Sequence, residues 1–139
     1  MSNLSCFLSQ NKIKKANLKY VASKNFIDEN GNPIEWEIRE LTNAESDDIK
    51  KQCSIKVRNK NTYTMEFDSD QYGAKVAAKC TVFPDLNDAK LQDSYGVMGD
   101  DALLKAMLSL GEYTDYCAKV LEHNDFDKSL NDKVEEAKN

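Results

Sequence analysis

One histidine, two prolines and a single tryptophan stand in 139 residues, and the four cysteines form no CxxC pair. A lone His123 cannot build a His-rich metal cluster, and the HExxH pattern of a zinc metalloprotease does not appear. Hydrolytic and transfer chemistry needs a base, a nucleophile or a metal within reach of one another. No such constellation is written here, so the chain reads as a protein that is not an enzyme and uses no metal and no cofactor. His123 lies near a predicted helix C-terminus, where a surface or capping imidazolium suits the dipole. Cys6, Cys53, Cys80 and Cys117 are far apart, and three of them fall where helical patterns want an apolar residue. They read as buried, reduced thiols of a cytosolic protein and not as a disulfide or zinc framework.

Long apolar runs are missing too. Nothing could span a bilayer, and Met1 to Gln10 is too short and mixed for a signal peptide, so no membrane role is expected. Cations are in deficit: the net charge is −5, and a concentrated basic face for phosphate backbones is not expected, which argues against nucleic acid. The spacing of Tyr20, Tyr63 and Tyr72 places them in a core, not on a base-stacking platform. Solubility, or a partner with basic stretches, fits the acidity better. The carboxylates of Asp68-Ser69-Asp70 and of Asp85 to Asp88 lack the spacing of a calcium loop and serve better as helix caps. Gly96-Val97-Met98-Gly99 is followed by Asp100 and Asp101, where a phosphate cradle would need a Lys and a hydroxyl.

What is present is one domain's worth of patterned elements. Leu4, Phe7 and Leu8 form an apolar patch that is either a docked helical turn or an arm that meets a partner. Leu18, Tyr20, Ala22 and Phe26 alternate, interrupted at Lys24, before the turn residues Asp28 to Pro33. Ile34, Trp36 and Ile38 then point inward, with Glu35, Glu37 and Arg39 outward. Period-two patterns on both sides of Asn30-Gly31 predict an antiparallel hairpin. Thr42-x-x-Glu45 is a capping box opening a helix to about Ser54, with a thin apolar face of Ile49 and Cys53. Thr62–Phe67 predicts a third strand with Tyr63, Met65 and Phe67 on one face. Asp68 or Ser69 caps a helix carrying Tyr72, Val76, Ala77, Cys80 and Phe83, stopped by Phe83-Pro84. A short helix near Asn87 to Tyr95 stops at Gly96. Ala102 to Leu110 and Tyr113 to Leu121 carry helical stripes separated at Gly111. Beyond Phe126 the chain is charged, with only Leu130 and Val134 as anchors. The predicted class is α+β: a small antiparallel sheet (the hairpin plus a third strand) packed with about four to five helices and a helical C-terminal third. Residues 1–17 read as an N-terminal arm, 18–126 as the single domain and 127–139 as a charged tail. Leu4, Phe7, Leu8, Leu130 and Val134 are the candidate partner-binding residues, because arm and tail are weakly anchored.

Several ordered pieces match a known pattern. The run Tyr20 to Pro33, then Trp36-Glu37-Ile38-Arg39-Glu40-Leu41-Thr42 with Glu45, resembles the XkdN-like phage tail assembly chaperones. The likeness continues through Tyr95-Gly96, the Leu-Gly-Glu-Tyr of Leu110 to Tyr113 and the closing Lys138-Asn139. Asn25 departs from it, since the family favours a basic residue before the Phe. The resemblance implies a contractile-tail phage or prophage protein, resident in the cytoplasm of the bacterial host and absent from the mature particle. Its implied partner is the tape measure protein, a long helical chain, with the tail tube protein as a further partner and self-association compatible with the role. The competing reading is a structural tail or baseplate adaptor retained in the particle. The resemblance also admits a frameshifted longer product. Ala137-Lys138-Asn139 can be encoded by GCA-AAA-AAC, a run on which ribosomes slip, and the nucleotide sequence tests this against an ordinary charged terminus.

Overall fold

The computed structural model describes residues 3–125. Phe126, Leu130, Val134 and the tail assigned to 127–139 lie outside the described residues. The chain opens with two 3-10 turns, Asn3–Phe7 and Ser9–Asn11. It then enters strand β1 (Leu18–Tyr20), which pairs antiparallel with β2 (Trp36–Ile38), Leu18 opposite Ile38 and Tyr20 opposite Trp36. The alternation read from the sequence sets the faces, and Trp36 and Ile38 are fully buried. The hairpin is less regular than its pattern. Six residue steps separate Tyr20 from Phe26 but only two separate Trp36 from Ile34, whose amide donates to the Phe26 carbonyl. The surplus leaves the ladder as a bend at Val21 to Asn25, where Ala22 and Ser23 are buried and Ser23 Oγ accepts from the Asn25 amide. At the tip the Asp28 carboxylate accepts from the Asn30 and Asn32 amides. Gly31 alone takes the positive φ, +83°, that the turn demands.

The Thr42–Glu45 capping box opens α1 (Asn43–Gln52), and Ile49 is its buried residue. Cys53 then ends the helix, and a strand the sequence reading missed begins at once: β3 (Ser54–Asn59) pairs along its length with β4 (Thr62–Phe67). The third strand expected in the first sheet is therefore not Thr62–Phe67, which belongs to a separate two-stranded ribbon. Lys56, Arg58 and Asn59 obscured β3, since only Ile55 and Val57 mark its alternation. The chain turns at Lys60, whose φ of +57° is unusual for a residue with a Cβ.

Asp68 caps α2 (Ser69–Cys80), its carboxylate accepting from the Gln71 amide. Ala74, Val76, Ala77, Ala78 and Cys80 are buried, and these small side chains let α2 pack on three other helices. The helix ends at Cys80, earlier than its apolar stripe suggested. Thr81–Phe83 is instead β5, which pairs with β2 and completes a sheet of order β1-β2-β5. Phe83 is thus an edge-strand residue, 53% exposed. The short α3 (Ala89–Ser94) is capped by Asp88 and followed by Gly96 at φ +66°. The break between the last two helices is not at Gly111. Helix α4 (Asp100–Met107) stops at Leu108, and Ser109 with Glu112 forms a second capping box that opens α5 (Leu110–His123), leaving Gly111 inside the first turn.

One core gathers these elements. Trp36 meets Tyr116 of α5 edge-on at 5.3 Å, and Tyr20 and Phe26 flank the pair. Leu86, Leu103, Leu104 and Val120 close around them. The expected class, α+β with a small antiparallel sheet and five helices, is the observed one.

Candidate interaction surfaces

Burial holds several titratable side chains of the body in their neutral forms. Burial raises the Cys80 thiol to about 11 and raises those of Cys53 and Cys117 as well, holding all three as neutral thiols. All four cysteines are free, and Cys6 is exposed. Burial also raises Tyr116, whose hydroxyl pairs with Thr81 Oγ1 at 2.5 Å. His123 is not the surface imidazolium expected from the sequence: it is buried, and Nε2 has no hydrogen-bond partner among the described residues. Desolvation lowers its pKa, with the Lys15 charge adding to the effect. The Lys15 ammonium instead donates to the His123 carbonyl, serving the α5 C-terminus in the imidazolium's place. Among the described residues no cluster of three or more His, Cys, Asp or Glu side chains can hold a metal. No described helix is long and apolar enough to cross a membrane.

On the exterior, three groups of large apolar side chains stand out beside the exposed Met98 and Leu110. The first is the arm. Leu4 and Phe7 on the first 3-10 turn, and Leu8 between the two turns, have exposed side chains, Phe7 at 82%, so the docked alternative is not the observed one. Ile13 is exposed beside them, and Lys15 ties the arm's end to α5. The chain has no acidic residue before Asp28 but carries Lys12, Lys14, Lys15, Lys19 and Lys24 there. Leu130 and Val134, the other two candidates, lie outside the described residues.

The second place is an apolar groove of about 150 Å³ beside the β5 edge. Phe26, Ile34, Phe83, Pro84, Leu91 and Tyr95 line it. It forms because the first hairpin's distal half, the β5 end and α3 converge there.

The third is the β3–β4 ribbon. Every residue of β4 is exposed, with Tyr63 at 59% and Met65 at 66%, which corrects the core placement of Tyr63. Directly opposed residues share a face in an antiparallel pair. Tyr63, Met65 and Phe67 therefore stand with Arg58, Lys56 and Ser54, while Ile55 and Val57 stand with Glu66 and Thr64 on the reverse. The ribbon joins the body at its root, where the Asp68 amide donates to the Cys53 carbonyl and Phe67 packs on Tyr72 at 5.4 Å. Tyr72 in turn lines a cleft with Leu41, Ser46, Lys50, Val76 and Leu121. The aromatic row thus runs from the ribbon onto the body. The signal was legible in part: alternation named the row, but a row needs a covering layer to be core, and β3 supplies an edge partner only.

Comparison with known proteins fits this architecture. Residues 4–138 match the family model described as phage XkdN-like tail assembly chaperone protein, TAC. Two proteins of Bacillus subtilis (strain 168), the phage-like element PBSX protein XkdN and the uncharacterized protein YqbN, are each 30% identical over 142 residues. These matches span 99% of this chain and 94% and 93% of theirs. The crystal structure of YqbN superposes with a TM-score of 0.77 at 27% identity, covering 91% of this chain and 98% of that one.

Proposed function

Because the chain belongs to the phage XkdN-like tail assembly chaperone family, we propose that it acts by binding, without catalysis, in the cytoplasm of the bacterial host. Its client is the tape measure protein of a contractile tail, which it keeps soluble until the tail tube polymerises, and it is left out of the finished particle. The physical requirement is plain. A very long amphipathic helix exposes apolar stripes that associate with one another, and a small acidic domain that covers a stripe also adds repulsive charge. The observation that carries the reading is the apolar row Tyr63, Met65 and Phe67 standing exposed on a ribbon outside the core. Single exposed apolar residues are ordinary, but an ordered row of them marks a contact surface.

Co-expression with fragments of the tape measure protein, scored by solubility and pull-down, tests the proposal. At least one fragment is expected to move into the soluble fraction and to co-purify; no gain across all fragments would overturn the reading. Mass spectrometry of finished particles separates it from a retained adaptor, since stoichiometric presence of this chain would favour the adaptor.

A further inference from the structure

We infer that the Tyr63 face of the β3–β4 ribbon seats an amphipathic helix whose apolar stripe is bordered by acidic side chains. That the client is helical comes from the chaperone function proposed above, on which this inference rests; the acidic border comes from the ribbon. Tyr63, Met65 and Phe67 recur every second residue on β4, and Lys56 and Arg58 stand directly across from Met65 and Tyr63. The Lys56 ammonium lies 4.4 Å from the centroid of the Tyr63 ring, so cation and aromatic share one surface.

The charge here opposes that of the whole chain. Residues 54–67 hold Lys56, Arg58 and Lys60 against Glu66 alone, in a chain of net charge −5. Glu66 points to the other face, with Ile55, Val57 and Thr64. The Tyr63 face is therefore apolar along β4, and along β3 it carries the two cations Lys56 and Arg58 beside the neutral Ser54. A helix with an acidic border complements both strips, and one with a basic border meets like charge.

Dimensions agree. Four residue steps from Tyr63 to Phe67 span about 14 Å, close to two and a half helical turns, and two paired strands present a width of roughly one helix. At the root, Phe67 on Tyr72 leads to the cleft that Lys50 also lines, so the strip of aromatic and cationic groups continues onto the body. A ribbon of two strands is also marginal by itself in water, and a helix laid on one face supplies the layer it lacks.

Fluorescence anisotropy with the full chain tests this, using labelled synthetic helical peptides with one leucine stripe bordered by Glu or by Lys. The Glu-bordered peptide is expected to bind about tenfold tighter, as two partly desolvated ion pairs imply. Lys56→Glu with Arg58→Glu should reverse the preference, and Tyr63→Ser with Met65→Ser should abolish tight binding of both peptides. Ile55→Ser on the reverse face should leave binding unchanged, which separates loss of the seat from loss of the ribbon. An unchanged thermal midpoint and Trp36 emission would show that the body stays folded. Equal affinity for the two peptides, retained binding in the Tyr63/Met65 variant, or tighter binding of an oligothymidylate than of either peptide would overturn the inference. If the peptides fail while tape measure fragments are still solubilised, the seat is refuted and the chaperone function stands. Failure of both refutes both.

Discussion

His123 closes α5 as a neutral, buried ring. Its Nε2 is out of reach of solvent and has no partner among the described residues, and desolvation lowers its pKa below the ordinary histidine value. A group whose pKa is depressed on folding binds its proton more readily in the unfolded chain. Its contribution is therefore fully present above the ordinary histidine pKa, and is lost as pH falls through that value toward the folded one. Urea titrations across this range should show stability falling with pH in the wild type. His123→Leu should flatten that component, with little loss at neutral pH because the orphaned nitrogen is removed along with the ring. An unchanged pH profile in the variant would assign the slope to other groups. The sequence displayed a histidine at a helix end, and its charge state depended on burial that one position cannot reveal.

At the scale of elements, α1 is held at its entrance as well as by its thin apolar face. Thr42 Oγ1 accepts from the Glu45 amide at 3.2 Å, and Glu45 Oε1 accepts from the Thr42 amide at 3.1 Å. The same carboxylate receives both Arg39 terminal nitrogens, at 2.9 and 2.7 Å, tying the helix to the end of β2. These bonds, Arg39's foremost, lower Glu45 to about 2. The sign follows: the contribution is present above the ordinary glutamate pKa and is lost as pH falls from there toward 2. Both groups are partly exposed, so its size is discounted to about 1–2 kcal/mol for solvent screening. Thr42→Ala should cost about 1 kcal/mol at any pH above that window. Glu45→Gln should lose the Arg39 pairing and with it this part of the acid dependence, leaving that of Glu37 and Glu112, whose carboxyls folding also lowers. Chemical denaturation of both variants at pH 7 and at pH 3.5 checks this. A Glu45→Gln protein as acid-sensitive as wild type would contradict it.

For the whole molecule, the division is between a body that folds around Trp36 and Tyr116 and a ribbon fastened at Cys53, Phe67 and Asp68. The two should respond separately to substitution. Lys60→Gly relieves the positive φ at the ribbon tip and should protect ribbon amides from hydrogen exchange, while moving global stability by less than about 0.5 kcal/mol. Trp36→Ala should cost about 3–5 kcal/mol and unfold body and sheet together. Hydrogen exchange followed by peptide mass spectrometry reads both effects. Ribbon and body amides exchanging as one unit would refute the division.

Much of this was legible because local physics decides it. The Thr42 box, the Asp68 cap, the alternation around Trp36 and the stripe containing Tyr116 and Val120 each act within a few residues, so the chain alone determined them. It also carried the ordered pieces that mark the tail-chaperone family. What each element packs against was another matter. Alternation says that Tyr63, Met65 and Phe67 share a face, but covering that face takes a second layer, and only the tertiary structure shows that β3 pairs beside them instead of packing over them. The same holds for Thr81–Phe83, whose β state follows from a neighbour, β2, more than forty residues earlier in the chain. Non-local pairing thus turned Tyr63, an expected core residue, into an exposed one together with Met65 and Phe67 beside it.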